Sequence, residues 1–404
     1  MYRGCTVAVV VPAYNESGFV GEVIETVPAF VDRVYAVDDC STDGTWAEMR
    51  EAATRVNERE QMVTDGRGEA NEVSRPSPDD RDDADGGDAG SAAAGTVEAA
   101  TADADSGAAG TGAAGETAAG DARVATRARA AQRGADEPPT FDPRVVPMRH
   151  EENGGVGAAI TTGYRQALAD GIDVTAVMNG DGQMDPDILD RIIDPVVEGR
   201  ADYAKGDRLS FPAYREGMSG WRLFGNVVLT FLTKVASGYW KMTDPQNGYT
   251  AVSLEALEAL DLDAAHETYG FCNDVLVRLN VRDFRIADVP MQAVYGEETS
   301  HINYSTFIPV VSMLLLGGFV RRLRDKHLVV DFHPMVFLYA LGALGAAGAL
   351  AFAGWAVAVA ATAASGNALL SAGFAVTTAL LGGLLLTLAM VFDMRHNAEM
   401  EVHA

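Results

Sequence analysis

Lysine is scarce in this chain of 404 residues, occurring only at positions 205, 234, 241 and 326, and arginine supplies nearly all of the positive charge. Against 31 lysines and arginines stand 57 aspartates and glutamates, a formal net charge of -26. Such a surface repels polyanions, which excludes nucleic acid as a partner. It would also strain a compact state by self-repulsion unless ambient salt screened it, so the composition reads as that of a halophile's protein. Cysteine is scarce too. Cys5, Cys40 and Cys272 are odd in number and far apart, which argues against a disulfide framework or a zinc site and for a reducing compartment. The apolar run Thr6 to Val11 is too short for the core of a signal peptide and meets Pro12, so no signal peptide is expected. Large apolar residues are nearly missing from about Gln61 to Pro143, a stretch that includes Asp79-Asp80-Arg81-Asp82-Asp83. It cannot bury enough surface to offset its ordering entropy and reads as a disordered acidic insertion, tolerated because lengthening a loop costs little.

Outside that stretch the chain is well supplied. Hydrophobic residues make up 48% of the whole, enough for a real core, and the length fits two or three domains. Strand-like and helix-like runs alternate. Thr6 to Val11 predicts a buried strand and Gly18 to Val27 a helix; Arg33 to Val37 predicts a second strand, followed by a helix from Trp46 to about Glu58 that Asp43 and Thr45 can cap. Order returns with a strand over 144 to 148 and a helix to Ala169. The pattern resumes with Val174 to Met178, an amphipathic helix from Pro186 to Val197, a strand over 201 to 205, a long helix over 221 to 238 and a strand over 285 to 289. This is the rhythm of an α/β fold with a mostly parallel, Rossmann-like sheet.

The centre of the chain is Asn179-Gly180-Asp181-Gly182-Gln183-Met184-Asp185-Pro186, at the carboxyl end of a predicted strand. Ligands bind at that edge of open α/β sheets. A turn offering Asp181, Gln183 and Asp185 presents only oxygen ligands, the set a hard divalent cation such as Mg or Mn prefers, although an Asx-rich turn capping a helix would look the same. Two more acidic, hydroxyl-rich turns, after Val11 and after Val37, would open on the same edge. Gly155 and Gly157 suggest a dinucleotide fingerprint, but the sixth position is Ile160 and six residues separate strand from glycine, so a nicotinamide or flavin role is set aside. Lys205 and Arg208 are cations suited to phosphate oxygens, with surface pairing to Asp207 as the alternative. Asp274 is open to two readings, a helix-dipole cap or a catalytic base.

Taken in order, the runs VVVPAYNE, VDDCSTDGT, HEENGGVGAA, NGDGQMDP, KGDR, DPQNGYTA and YGFCND resemble the family 2 glycosyltransferases of the GT-A fold, in the branch of the dolichyl-phosphate mannose and glucose synthases. The resemblance covers Thr6 to about Tyr304. It implies that Pro12, Tyr14, Glu16, Val37 and Asp39 line the nucleotide of a UDP- or GDP-hexose, and it leaves the phosphates to Arg208 or Lys205. It also implies that Asn179, Asp181 and Gln183 meet the metal on the diphosphate. The family's central motif usually begins with Asp, whereas Asn179 offers only a neutral oxygen there, which implies either a lower metal affinity or compensation by Asp38 or Asp39. Tyr295 to Ser300 keeps the family framework without its cation. No Gln-x-x-Arg-Trp run occurs, which argues for one sugar per turnover rather than a processive synthase. Asp181, Asp244 and Asp274 are the candidate catalytic residues.

The tail points to lipid. Met335 to Ala361 and Ala368 to Phe392 are uncharged and each long enough to cross a bilayer, joined at Ser365-Gly366-Asn367. Arg321, Arg322, Arg324 and Lys326 precede the pair and Arg395 follows it, which predicts a multi-pass cell-membrane protein with its catalytic domain in the cytoplasm. The expected organisation is a GT-A domain over 1–304, interrupted at 61–143, an amphipathic interfacial segment over 305–330, and a transmembrane α-hairpin with a short tail over 331–404. Because every donor motif precedes Tyr304, the catalytic domain is expected to be separable from the hairpin. The expected reaction is metal-dependent, inverting transfer of one hexose to a polyprenyl or dolichyl phosphate for glycan or protein glycosylation. The alternatives are a glycolipid or lipid-linked sugar hydroxyl as acceptor, and a non-catalytic nucleotide-binding membrane scaffold.

Overall fold

The computed structural model describes residues 1–64, 141–210, 220–268, 270–292, 304–330, 332–361 and 365–403. Most of the insertion, Tyr269 and the run Tyr295 to Ser300 lie outside the described residues. The first half is a parallel sheet with crossover helices: β1 (Val7–Ala13), α1 (Val20–Thr26), β2 (Arg33–Asp38), α2 (Thr45–Thr64), β3 (Val145–Arg149), α3 (Val156–Asp170) and β4 (Val174–Val177). All seven residues of β1 are buried, as expected of a central strand covered on both faces. Val7, Val9 and Val11 pack with Ile24, Met49 and Ile192 on one face, and Ala8 and Val10 with Ile160, Tyr164 and Leu276 on the other. Each fully buried valine contributes roughly 1.5 kcal/mol or more.

The second half adds α4 (Leu189–Val197), β5 (Tyr203–Asp207), α5 (Gly220–Ser237), β6 (Thr250–Ser253), α6 (Leu254–Ala259), α7 (Phe271–Val281) and β7 (Ile286–Pro290). With β8 (Glu401–His403) at its far side, the described strands form one sheet in the order β3-β2-β1-β4-β6-β5-β7-β8. The pairs β1–β2, β2–β3, β1–β4 and β5–β7 are parallel, whereas β6 runs antiparallel to both β4 and β5. Two antiparallel steps restore direction, so β1, β2, β4 and β5 all end on one edge, where β6 begins. Strand β6 has only four residues and directly follows a polar turn, so its pattern is too short to read from the sequence.

Helix α2 runs to Thr64, six residues beyond the expected end. Near its end the Asn57 side chain bonds both N–H and C=O of Val145, at 2.8 and 2.9 Å, and Arg144 meets Glu60 at 3.0 Å. The chain therefore leaves and re-enters the sheet at neighbouring points. Replacing residues 65–140 by a short Gly/Ser linker is expected to leave the unfolding temperature and activity close to those of the parent, because the linker closes a short gap. A loss of activity with unchanged circular dichroism would assign that segment a role beyond connection.

Helix α8 (Tyr304–Arg324) packs Val311 and Leu315 against Ala236 and Val277 of the sheet domain and leaves Val310, Met313, Leu316 and Val320 exposed. A wide helical turn over Asp325–Val330 leads to α9 (Met335–Ala361) and α10 (Ser365–His396). Ser365 to Asn367, expected as the break between them, is the first turn of α10. The two helices cross tightly, since a Cβ built on Gly345 would lie 2.8 Å from Gly382 Cα, the small-residue contact that lets apolar helices approach. Their outer faces carry exposed Leu350, Trp355 and Leu369, at 76%, 62% and 78%. A soluble helix pair would hide such residues; both helices are long and apolar enough to cross a membrane.

The short tail after the hairpin rejoins the sheet domain: β8 (Glu401–His403) returns as the edge strand of the sheet, parallel to β7. Arg322, fully buried, caps the carboxyl end of α5 through Val235 O and Ala236 O and pairs bidentately with buried Asp393 of α10 at 2.7 and 2.8 Å. Lys326 bonds Asn280 O and Asn397 Oδ1 at 2.9 and 3.1 Å. Burial pushes the neighbouring His327 imidazole down to about 3, helped by the charges of Arg322 and Lys326, so it stays neutral. Cutting the chain after Arg324 would remove a strand of the sheet and Asp393, the buried partner of Arg322.

Candidate active site

The site edge is organised by the end of β1. Pro12 O accepts from Gly180 N at 3.0 Å and Ala13 O from Asp39 N at 2.9 Å, so the turns after β2 and β4 flank one strand end. Gly180 is required there, because a Cβ would meet Ala13 Cβ at 2.9 Å. Tyr14 and Glu16 emerge from the same strand end, Tyr14 exposed and Glu16 partly so. Asn15, at φ 59°, accepts from Thr42 N at 2.9 Å, and Glu16 N donates to Thr45 Oγ1 at 2.8 Å, which ties the first two turns together. Pro12 and Val37 lie beneath, and the Val37 side chain packs in the core with Tyr35 and Tyr164.

Asp39 is 2% exposed and fully engaged: Gly154 N and Gly155 N donate to it at 2.9 and 2.7 Å, and His150 Nδ1 lies 2.7 Å away. His150 Nε2 in turn meets Thr162 Oγ1 at 2.8 Å. Sequence reasoning missed His150, although its place directly after β3, ahead of two glycines, was the available signal. Gly154 and Gly155 serve this carboxylate. The amino end of α3 is further covered by Glu267 O, which accepts from Ala158 N at 3.1 Å. A Cβ on Gly157 would sit 2.5 Å from His266 O. Asp38 is also spent, buried against Arg149 at 2.9 Å.

At the central turn, Asp181 Oδ1 accepts from Gln183 N at 3.0 Å, and Asp185 caps the following turn through Asp187 N at 2.9 Å. Burial raises the Asp181 carboxyl, partly offset by hydrogen bonds from Gln183 N and the Asn179 side chain. Asn179 faces Gly248, where a Cβ would lie 3.5 Å from both amide atoms. Among the described residues no three His, Cys, Asp or Glu side chains could hold a metal by themselves. The donor set nevertheless fits Mg or Mn bound as such ions are with nucleotides, through one carboxylate and substrate phosphate, with neutral oxygens from Asn179 and Gln183. A cation there would also offset the burial cost that raises Asp181.

The two cations pair with acids other than Asp207. Lys205 is buried and pairs with Asp288 at 2.6 Å, its ammonium also reaching Thr243 O; it does not face the edge. Arg208 donates Nε and Nη2 to Asp244 at 2.7 and 3.0 Å, and its backbone N donates to the same carboxylate at 3.1 Å. Burial would raise Asp244, but the hydrogen bonds and charge of Arg208 hold it below the ordinary carboxylate range. Asp274, 3% exposed, pairs with Arg278 at 2.7 Å and with Arg321 of α8 at 2.5 Å. Beside that pair lies a groove of about 350 Å³ lined by His266, Thr268, Leu314 and Arg321. Gln246 Nε2 donates to Asn273 Oδ1 at 2.7 Å, joining the turn before β6 to α7. Desolvation pushes the Cys272 thiol up to about 11, so it is no nucleophile.

Residues 8–70 and 125–260 match the family model described as glycosyl transferase family 2. The chain is 32% identical over 154 residues to the UDP-N-acetylglucosamine–dolichyl-phosphate N-acetylglucosaminyltransferase of Methanococcus voltae, covering 38% of this chain and 61% of that one. It is 32% identical over 166 residues to the polyprenol monophosphomannose synthase of Mycolicibacterium smegmatis, covering 39% and 59%. The chain thus spans about three-fifths of the length of these curated relatives. Among solved structures, the mannosyltransferase PcManGT of Pyrobaculum calidifontis, in complex with GDP-Man and Mn2+, aligns over 96% of this chain and 86% of that one, with 16% identity and a TM-score of 0.42.

Proposed function

Because this chain carries a glycosyl transferase family 2 domain, we propose that it transfers a single hexose unit, with inversion, from a UDP- or GDP-sugar to a polyprenyl or dolichyl phosphate at the cytoplasmic face of the cell membrane. One observation supports the phosphate acceptor above a sugar hydroxyl. The two carboxylates available as general base are each held in ion pairs, Asp244 by Arg208 and Asp274 by Arg278 and Arg321. Carboxylate oxygens already engaged by guanidinium donors are not free to take a proton from an acceptor hydroxyl. An acceptor phosphate is already ionised and needs no general base, so it can attack the anomeric carbon directly.

The chain's own residues divide the work. Tyr14 and Glu16 line the nucleotide, and Asp39 braces the turn behind them, kept rigid by two backbone N–H groups and His150. Arg208, oriented by Asp244 at the end of β5, binds phosphate. Asp181, with Asn179 and Gln183, would hold a divalent ion, which when bound supplies Lewis-acid stabilisation of the leaving diphosphate. The hairpin keeps the site at the bilayer, raising the effective concentration of a lipid acceptor.

A screen of UDP- and GDP-sugars against dolichyl phosphate and a neutral glycolipid, in molar salt with Mn²⁺, tests this. Glycolipid should form from one donor and the lipid phosphate, and the rate should collapse at low salt, where the Debye length grows from about 3 Å and the carboxylates repel across the surface. Transfer to the neutral glycolipid alone would overturn the acceptor assignment, and salt indifference would overturn the halophilic one.

A further inference from the structure

The acid that meets the loop leading to Asp244 comes from β8, beyond both membrane-length helices. Glu401 opens β8 and lies in register with Ile286, the first residue of β7. Its carboxylate accepts from three successive backbone N–H groups, Trp240 at 2.9 Å, Lys241 at 2.5 Å and Met242 at 2.7 Å. The Lys241 ammonium adds a bond to Ala398 O at 3.1 Å. One residue further, Thr243 N and Oγ1 donate to Asp288, in the middle of β7, at 2.6 and 3.1 Å. One further still, Asp244 stands at φ 42° and grips Arg208. The segment from Trp240 to Asp244 therefore climbs alongside β7 from the far edge of the sheet to the site edge, with an acid fixing almost every step.

We propose that Glu401 is a positioning residue for the site: by holding the amides of Trp240 to Met242 it presents Asp244, and through it the Arg208 guanidinium, in one orientation. The proposal rests on the reading of Arg208 as a phosphate ligand. A non-glycine residue at positive φ persists only where its surroundings over-determine it, and here the surroundings are Glu401 and Asp288 below and Arg208 above. A glutamate is suited to the task, since its two oxygens can serve three converging N–H groups and an ionised acceptor makes the stronger bonds. Burial raises the Glu401 carboxyl, and the three N–H groups oppose that rise. The consequence is that the strand carrying the membrane hairpin back to the sheet also sets the geometry of the phosphate site.

Glu401→Gln in the full-length, membrane-embedded protein tests this, because glutamine keeps the size but turns an NH₂ group toward N–H donors. Amide hydrogen exchange at Trp240 to Asp244 is expected to quicken about tenfold or more, and so is exchange at Arg208 N, which Asp244 holds. Sugar transfer is expected to fall about tenfold in kcat/KM. In a double-mutant cycle with Arg208→Ala the two losses should not multiply, since one acts through the other. Unchanged protection at Arg208 N, or losses that multiply, would overturn the proposal. An Arg208→Ala variant with full activity would instead remove the phosphate reading, and the exchange at Arg208 N would still decide whether Glu401 holds it. Should Glu401→Gln fail to accumulate, Glu401→Asp keeps the charge with a shorter reach and is read in the same way.

Discussion

Asp181→Ala is expected to lower sugar transfer by roughly 10²- to 10³-fold, the scale of removing one group that stabilises charge in the transition state, while leaving the protein folded. The residue is half-buried in a turn at the sheet edge rather than set in a core, and the bond it accepts from Gln183 N is worth about 1 kcal/mol. Mn²⁺-dependent nucleotide binding, read by calorimetry, should weaken together with transfer. Burial raises the Asp181 carboxyl, so its proton competes with the cation at a higher pH than for an ordinary aspartate. Metal affinity should therefore fall on acidification sooner than a solvent-exposed carboxylate would allow. Asn179→Asp, which adds a charge beside Gly248, should preserve or raise the affinity. Near-parental activity of Asp181→Ala would remove the metal assignment, and a large loss in Asn179→Asp would mean that Asn179 serves as a hydrogen-bond donor instead.

The second large effect is on assembly. Asp393→Leu should destabilise the whole protein by about 3–5 kcal/mol, because it leaves the Arg322 guanidinium buried without its carboxylate. Arg322 and Asp393 are both fully buried, and Tyr339 and Asn397 also donate to Asp393, at 3.2 and 2.7 Å. Thermal unfolding in nanodiscs should show a lowered transition, and proteolysis should appear between Asp325 and Pro334, where the sheet domain meets the hairpin. Arg322→Leu with Asp393→Leu should recover much of the loss, since removing both charges removes the uncompensated one. If the single variant unfolds at the parental temperature, the hairpin is held by its apolar contacts alone. A soluble fragment ending at Arg324 should fare worse than any single variant, since it also lacks β8 and Glu401.

The local pattern of the chain was enough for much of this protein. Buried parallel strands read as unbroken Val and Ala runs, and helices as apolar spacing between caps. The turns after β1, β2 and β4 were recognisable because Asp, Asn, Gly and Thr cluster where a chain leaves a strand. The two long uncharged runs near the carboxyl end were equally plain. What escaped the sequence is pairing between residues far apart along the chain. Nothing near Lys205 announces that its partner is Asp288, or that Asp244 belongs to Arg208, because a carboxylate can meet a cation from anywhere and only the order of β5, β6 and β7 decides which ones do. The Asp39 turn looked open to ligand, yet its carboxylate is claimed by Gly154, Gly155 and His150, brought to it from β3 and α3 by the β2–β3 pairing. Strand β8 has three residues and no pattern of its own; it is a strand because the hairpin returns it to the free edge of β7. Periodicity and turn chemistry act over a few residues and are written in the sequence, whereas charge pairing and edge closure act across the fold and exist only once the tertiary structure has brought the partners together.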